Sequence, residues 1–369
     1  IFFVSDSIGY VVGLQAKLFK TTDGGLTWID KSPNYDPSFN KFNSVFFVNQ
    51  DTGYIGAGNN YNGTGLILYT TDGGNTWEEN FNIAPGKRNF KKSNNLTDDD
   101  SYGIREIFFL NSLKGFAVDG TGEGWSRTIL TTSNGGLNWS IKYYGLEEFG
   151  LLTICVTDIG NGIAAGFNGS IFKTNDGGNI WNQYFSGGYK YGGEEDISDL
   201  FFINDSVGYA VGSRGSFNQK GELILKTTDG GTSWFTLRYY YSSYNQFNSV
   251  YFLNENLGWA GADNLLYITT NGGLNWQTSN TNLYDIKSVF FIDSLKGVLA
   301  TENFVCASND GGLNWIEKTT LGGNSIFFAN QNTGLVVGNN GSIRKKTDGG
   351  EKWISKFSGT TAELNSVKF

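Results

Sequence analysis

The side chains of this chain that could do acid–base work are carboxylates. Its 369 residues include no His, so Ser-His-Asp and Cys-His catalysis, zinc deamination and the usual zinc sites all lack a necessary member. Asp98, Asp99, Asp100, Glu123, Glu194, Glu195 and Asp196 fall in irregular, Gly-rich segments, and two such groups flanking a glycosidic bond suffice for glycoside hydrolysis. Acidic loop tips are more often simply solvated. The run Asp98 to Asp100 lacks the alternating oxygen ligands of a calcium loop. No metal and no cofactor is therefore expected. Cys155 and Cys306 sit in apolar strand-like runs and read as buried, unpaired thiols.

The elements that would position these groups follow from a repeat. TTDGGLTW ends at Trp28, TTDGGNTW at Trp77, TSNGGLNW at Trp139, TNDGGNIW at Trp181, TTDGGTSW at Trp234, TTNGGLNW at Trp276, SNDGGLNW at Trp315 and KTDGGEKW at Trp353. The mean spacing of about 46 residues is that of one propeller blade of four short strands. Upstream of each motif comes an apolar run, a turn and a Gly-led second run, as in NSVFFVNQDTGYIGAG from Asn43 to Gly58. We read two strands and a tight turn, a third strand entering the Asp-Gly-Gly turn, and a fourth beginning at the Trp. The expected fold is all-β, a single β-propeller over 1–369 with eight four-stranded blades. Its units run about 1–40, 41–100, 101–148, 149–194, 195–245, 246–283, 284–320 and 321–363. Residues 364–369, LNSVKF, match FNSVFF at 42–47 and read as a closing strand beside the first blade, the alternative being the start of a ninth repeat.

In the motif, Asp23, Asp72, Asp176, Asp229, Asp310 and Asp348 alternate with Asn134 and Asn271. An amide keeps the acceptor oxygen without the charge, so the position needs a hydrogen bond and not an anion or a metal. The two Gly supply positive φ angles, and each motif Trp is expected between blades. Trp259 aligns with Tyr54 and Tyr209 and reads as core.

The pattern Ser/Thr-x-Asp-x-Gly-x-x-Trp resembles the Asp-box, or BNR, repeat of sialidases, sortilin-type receptors and some xyloglucan hydrolases. The fuller unit, Phe-Phe, Gly-Tyr-x-x-Gly and Thr-Thr-Asp-Gly-Gly-x-x-Trp, is most similar to the photosystem II stability/assembly factor-like repeat proteins. That resemblance implies a non-enzymatic propeller outside the cytoplasm, holding a protein partner through a patch rich in Arg. Such repeats also occur in secreted or surface modules of bacteria. A sialidase would place one of three substrate-binding Arg in Arg-Ile-Pro, and none of Pro33, Pro37 and Pro85 follows Arg-Ile.

In a radial meander the turns 1–2 and 3–4 share one end, and the 2–3 turns and blade crossings the other. The first class is short and uniform here, NQDTG, NSLKG, NDSVG, NENLG, DSLKG and NQNTG. The second is irregular, including DGTGEGWSR (119–127), SGGYKYGGEED (186–196), SRGSFNQKG (213–221) and RYYYSSYNQ (238–246). Irregular loops on a rigid scaffold commonly carry recognition, and Tyr, Trp and Arg with Ser, Gly and Asn suit it. The candidate binding residues are Trp125, Arg127, Tyr189, Tyr191, Arg214, Tyr239, Tyr240, Tyr241 and Tyr244. The competing structural reading is that the Tyr-rich loops pack on one another.

A formal charge of −8 and a pI near 4.8 argue against nucleic acid as a partner. No run approaches the roughly 18 apolar residues of a membrane span, and no basic-then-apolar leader stands at Ile1. The chain opens in mid-pattern without Met, which reads as part of a longer precursor. The expectation is a secreted, periplasmic or surface module that binds protein, or glycan; the alternative is a carboxylate-dependent glycoside hydrolase or carbohydrate-binding propeller.

Overall fold

The structure is a computed structural model that describes residues 2–5, 7–33, 41–58, 65–83, 103–120, 127–145, 150–156, 160–185, 194–216, 219–240, 245–280, 283–328, 330–346, 352–358, 361 and 363–364. Their strands form eight four-stranded antiparallel sheets, each paired in chain order. The fold is an all-β propeller of eight four-stranded blades. The first and last strands of successive blades are Phe2–Phe3 and Ile29–Asp30, Lys41–Phe47 and Glu78–Ile83, Ile104–Phe109 and Ser140–Gly145, Leu151–Val156 and Asn182–Phe185, Glu194–Phe202 and Phe235–Tyr240, Phe247–Phe252 and Gln277–Thr278, Ile286–Phe291 and Ile316–Thr319, and Ser325–Phe328 and Ile354–Phe357. Two compact units divide the chain, Ile1–Phe167 with Ile171–Gln183, and Asn168–Ser170 with Tyr184–Phe369.

The repeated Phe-Phe and Gly answer to one contact. Phe47 lies directly opposite Gly53, and Phe109 opposite Gly115. A Cβ on Gly53 would stand 2.5 Å from the Phe47 ring, so the ring covers bare backbone and excludes any side chain there. The motif Trp meets the same ring edge-on: Phe47 and Trp77 centroids are 6.0 Å apart at 86°, and those of Phe291 and Trp315 5.9 Å at 84°. An aromatic residue of the preceding blade then stacks on that Phe. Tyr10 lies 3.7 Å from Phe47, Tyr209 3.7 Å from Phe252, and Trp259 3.5 Å from Phe291. Trp259 is fully buried, as its alignment with Tyr54 and Tyr209 requires.

First strands of neighbouring blades are tied by side chains. Ser44 Oγ accepts the Ile107 amide at 3.1 Å, Glu106 the Ile154 amide at 2.9 Å, Asp199 the Val250 amide at 2.9 Å and Ser288 Oγ the Ile326 amide at 3.2 Å. Bulges at Phe42/Ser44, Phe247/Ser249 and Ile286/Ser288 turn these groups sideways. Asn43 and Asn248, at two of the bulges, donate to the carbonyls of Ile104 and Ile286 at 2.9 and 3.0 Å. The recurring Asn-Ser thus links blades.

Trp28, Trp77, Trp139, Trp181 and Trp315 are buried, whereas Trp234, Trp276 and Trp353 are half-buried. Trp353 packs in one cluster with Val298 of blade seven, where blades five and six present Tyr209 and Trp259. Nothing in the packing accounts for Trp234 and Trp276. Neither Cys forms a disulfide, and only Cys306 is buried; Cys155 takes the half-covered face of its strand while Ile154 and Val156 take the buried one. Burial, then the Glu317 charge, push the Cys306 thiol up to about 11. Ile1 and residues 365–369, on which the closing-strand expectation turns, lie outside the described residues. Leu364 donates to the Gly338 carbonyl of the last blade at 3.1 Å.

Trp139→Ala should cost about 3–5 kcal/mol as a core deletion, and Trp353→Ala clearly less. Denaturant melts of the two variants check the order.

Candidate binding surface

The turn end of each blade is built by the motif. Thr21 Oγ1 donates to Asp23 Oδ1 at 2.7 Å and accepts the Gly25 amide at 2.8 Å, while the carboxylate takes the Thr27 amide at 2.9 Å and its hydroxyl at 2.6 Å. Both Gly have positive φ, 69° and 84° at Gly24 and Gly25. Asn134 Oδ1 repeats the pattern, with Thr132 at 3.0 Å and the Asn138 amide at 3.0 Å, and Asn271 does so with Thr269 and Asn275. These oxygens are occupied by their own turn, which makes the motif a structural device. Asp348 lies outside the described residues. Slight burial disfavours the charged form, but hydrogen bonds from the side chain and backbone of Thr27 and from Thr21 outweigh it and hold Asp23 at about 2. The equivalent Thr and Ser groups hold Asp72 and Asp229 at about 2 as well.

The first Gly of the motif donates to the 1–2 turn of its own blade, as from Gly73 to the Asp51 carbonyl and Gly230 to that of Ser206, each at 2.8 Å. Both turn classes therefore share one end of the blade, as expected. The 1–2 turns are themselves uniform, with Asn49, Asn111, Asn204, Asn254, Asp293 and Asn330 each accepting two amides through Oδ1.

At the opposite end, blade five departs from the others. Its first three strands, Glu194–Phe202, Gly208–Ser216 and Gln219–Thr227, have nine residues each. Of the segment 213–221, expected as a loop, residues 213–216 and 219–221 are instead paired strand, with Ser216 opposite Gln219. Glu194 to Asp196 and Arg238 to Tyr240 are likewise strand. Cross-strand pairing outweighs the Gly- and Ser-rich composition here.

Two cation–aromatic pairs ride on this blade. The Arg214 guanidinium lies 4.6 Å from the Tyr239 ring centre, across the strand where Gly221 has no side chain. Arg238 lies 5.9 Å from the Tyr240 ring and 4.7 Å from that of Tyr267 in blade six. Tyr239 and Tyr240 are 44% and 58% exposed, a large apolar area offered to water on a strand backed by sheet. Beneath them Glu222 is buried. It takes Arg238 Nε at 2.6 Å, the Tyr267 hydroxyl at 2.5 Å and the Asn245 amide at 2.5 Å. These three donors satisfy a charge that would otherwise be costly to bury. Burial, then the bond to Glu222 and its charge, push the Tyr267 phenol up, so it stays a donor.

Of the sequence candidates, the structure brings Arg214 to Tyr239 and sets Tyr240 beside Arg238. Arg127 opens the third strand of blade three opposite Gly120 and Gly145. Trp125, Tyr189, Tyr191, Tyr241 and Tyr244 lie outside the described residues. Glu222, Tyr267 and Asn245 were not anticipated; the signal was GELILKTT, a Glu where the second unit has GLILYTT. Among the described residues no helix is long and apolar enough to cross a membrane, and no three His, Cys, Asp or Glu side chains converge as metal ligands.

The depressed Asp values give a pH prediction. Their folded pKa of about 2 lies below the unfolded value of about 3.9, so their contribution is complete above pH 4 and is lost as pH falls towards 2. Melting temperature should drop through that window, and Asp72→Asn should flatten the drop, since Asn134 and Asn271 already do without the charge. Separately, Glu222→Ala leaves Arg238 without its counter-ion and should cost about 3 kcal/mol, whereas Tyr240→Ala should change stability by under about 0.5 kcal/mol; chemical denaturation measures both.

A family model described as photosynthesis system II assembly factor YCF48 matches residues 1–87. The chain is 24% identical over 332 residues to the photosystem II stability/assembly factor HCF136, chloroplastic, of Oryza sativa subsp. japonica, covering 72% of this chain and 76% of the relative. Among solved structures, YCF48 bound to a D1 peptide is 18% identical with a TM-score of 0.52, over 94% of this chain and 91% of that one. YCF48 from Cyanidioschyzon merolae is 18% identical with a TM-score of 0.53, over 85% and 97%. A GH74 xyloglucanase from Xanthomonas campestris is 12% identical with a TM-score of 0.53, over 98% of this chain and 68% of that one. These structures share the fold; the repeats and the sequence matches are more specific, and together they make the chain an Asp-box repeat β-propeller similar to the photosystem II stability/assembly factor-like repeat proteins.

Proposed function

We propose that the protein is a non-enzymatic binding propeller that holds a polypeptide partner against the extended end of blade five, outside the cytoplasm, as a secreted, periplasmic or surface module. The observation that carries the reading is the pair of exposed Tyr, Tyr239 and Tyr240, each beside an Arg guanidinium on a strand whose rigidity is secured by the buried Glu222 network. Aromatic rings supply contact area at little entropic cost, and a guanidinium beside each adds donors for backbone carbonyls and carboxylates. The YCF48 structure with a bound D1 peptide supports polypeptide recognition by this kind of propeller. Trp125, Arg127, Tyr189, Tyr191, Tyr241 and Tyr244 belong to the same reading, as candidates from the sequence.

A carbohydrate ligand is the second reading, favoured by the exposed rings and by the shared fold of the GH74 xyloglucanase. One experiment separates the two. The wild type and a Tyr239→Ala, Tyr240→Ala double variant serve as baits for cross-linking to extracytoplasmic protein fractions, and both are assayed for xyloglucan binding and hydrolysis. Retention of a defined protein by the wild type alone, with no glycan binding, supports the proposal; xyloglucan binding lost in the variant, or any turnover, overturns it.

A further inference from the structure

We propose that Asn340, in the turn between the second and third strands of blade eight, is a site of spontaneous deamidation through a succinimide. The proposal does not rest on the polypeptide surface of blade five.

Asn followed by Gly is the pair in which this chemistry is least hindered, because Gly has no side chain beside its nitrogen. The Gly backbone nitrogen attacks the side-chain Cγ of the Asn and forms a new N–C bond. The carboxamide C–N bond breaks, and ammonia leaves with the proton that the Gly amide gives up. Water then adds to one of the two ring carbonyls and opens the ring, to Asp by one route and to isoaspartate by the other. Both products carry a carboxylate where the amide stood, and water is the only co-reactant.

Asn-Gly occurs at Asn62, Asn134, Asn161, Asn168, Asn271 and Asn340, and the fold treats these pairs differently. Asn62 lies outside the described residues, and Asn168–Gly169 occupies the corresponding turn of blade four. In the two Asn boxes both reacting groups are held. Asn134 Oδ1 accepts the Thr132 hydroxyl and the Asn138 amide, each at 3.0 Å, and the Gly135 N–H donates to the Leu113 carbonyl at 2.8 Å. Asn271 Oδ1 accepts the Thr269 hydroxyl at 3.1 Å and the Asn275 amide at 2.9 Å, while the Gly272 N–H donates to the Asn256 carbonyl at 2.9 Å. The Gly272 carbonyl is tied in turn to Tyr209 and Lys226 of the preceding blade, at 3.0 and 2.9 Å. Gly162, after Asn161, is held as the opening residue of a strand, paired with Val156 on one side and Thr174 on the other.

Asn340 has none of these ties. Its side chain is exposed and makes no hydrogen bond among the described residues. The turn has the left-handed geometry of an Asn-Gly hairpin, with φ 55° and ψ 34° at Asn340 and φ 66° at Gly341. The Ser342 amide donates to the Asn339 carbonyl, and the Gly338 amide to the Ser342 carbonyl at 3.0 Å. Both bonds lie within residues 338–342. Ring closure requires the carboxamide carbon to swing over the Gly nitrogen. At Asn340 that takes the opening of one exposed turn, whereas in a box it takes the loss of bonds to a second turn and, at Gly272, to a second blade. The turn stands at the blade end opposite the Asp boxes, so the product sets a new carboxylate at that end.

The test incubates the whole wild-type chain in mildly alkaline buffer, with and without concentrated urea, and follows each Asn-Gly peptide separately by mass spectrometry. In the folded chain Asn340 should convert at least about tenfold faster than Asn134, Asn161 and Asn271, because local opening is so much cheaper than opening a blade. In urea the four should convert at similar rates. Asn340→Asp supplies the reference for one product, and Asn340→Gln, whose ring closure needs one more atom, should keep its amide. An unchanged Asn340 peptide in the folded chain once the urea sample has converted would overturn the assignment. So would conversion of Asn134 or Asn271 as fast as Asn340 without urea, or the same spread of rates with it.

Discussion

The peptide of the first motif glycine is the joint on which the described turn ends depend. Its N–H closes the 3–4 turn onto the 1–2 turn of the same blade, as between Gly272 and Asn256 at 2.9 Å, and its C=O receives the preceding blade's Tyr or Trp, as Gly272 receives Tyr209. A positive φ is needed to point both groups outward from one residue, which Gly adopts without strain. The Thr hydroxyl and the Asp or Asn oxygen exist to hold that geometry, since between them they take the remaining amides of the turn. Burial and then the Glu255 charge raise the Tyr209 phenol to about 12, so the tether is a neutral donor under any ordinary condition. The Phe that lies over the strand Gly then has a ring stacked on it and a Trp at its edge, and the blade is held by aromatic packing as much as by its ladder.

Much of this was legible because it is local. The eight motifs, the Gly pair and the Asn-for-Asp exchange at Asn134 and Asn271 all concern contacts within five residues, where spacing in sequence is spacing in space. Trp259 was placed correctly by alignment with Tyr54 and Tyr209 because repeats transfer position. What was not legible depends on partners far along the chain. The arm at 213–221 has the Gly, Ser, Asn and Gln content of a loop, yet nine residues pair on each strand, because a strand already fixed on both sides extends at little further entropic cost. Glu222 reads as an isolated charge in an apolar strand until Tyr267 and Asn245, over twenty residues away, supply its donors.

Divergence among repeats is therefore informative in a way that one copy is not. Where nearly all blades agree, as at the Phe opposite Gly that only blade four replaces, by Val156, the residue answers to packing. Where one blade differs and the loss is compensated, as with the amide of Asn134, the role is a hydrogen bond. Where one differs without compensation, space or charge is left over. Blade five has surplus strand and a buried ion pair beneath exposed rings. Blade seven has Val298 opposite Ala307 where blades one and five pair a Tyr with a Lys, and the repeat beside it puts Lys346 in the hydroxyl's place.

The charge distribution follows the same polarity and bears on recognition. A net charge of −8 is at odds with an Arg-bearing surface only if charges are spread evenly, and they are not. The motif carboxylates Asp23, Asp72, Asp176, Asp229 and Asp310 all sit at the turn end of their blades, where Asp-Gly-Gly must lie. Among the described residues every Arg lies towards the other end of its own blade: Arg105 near the start of a first strand, Arg127 at the start of a third, Arg214 near the tip of a second, Arg238 late in a fourth and Arg344 early in a third. The acidic groups are tied up by their own turns, with oxygens that already accept hydroxyls and amides. Arg344 is buried and spends its guanidinium on the Leu321 and Gly322 carbonyls, whereas Arg214 and Arg238 lie beside exposed Tyr rings. A chain acidic overall thus presents guanidinium groups at the blade ends opposite its Asp boxes, and over the Debye length of about 8 Å in physiological salt the local sign governs an approaching ligand more than the total does.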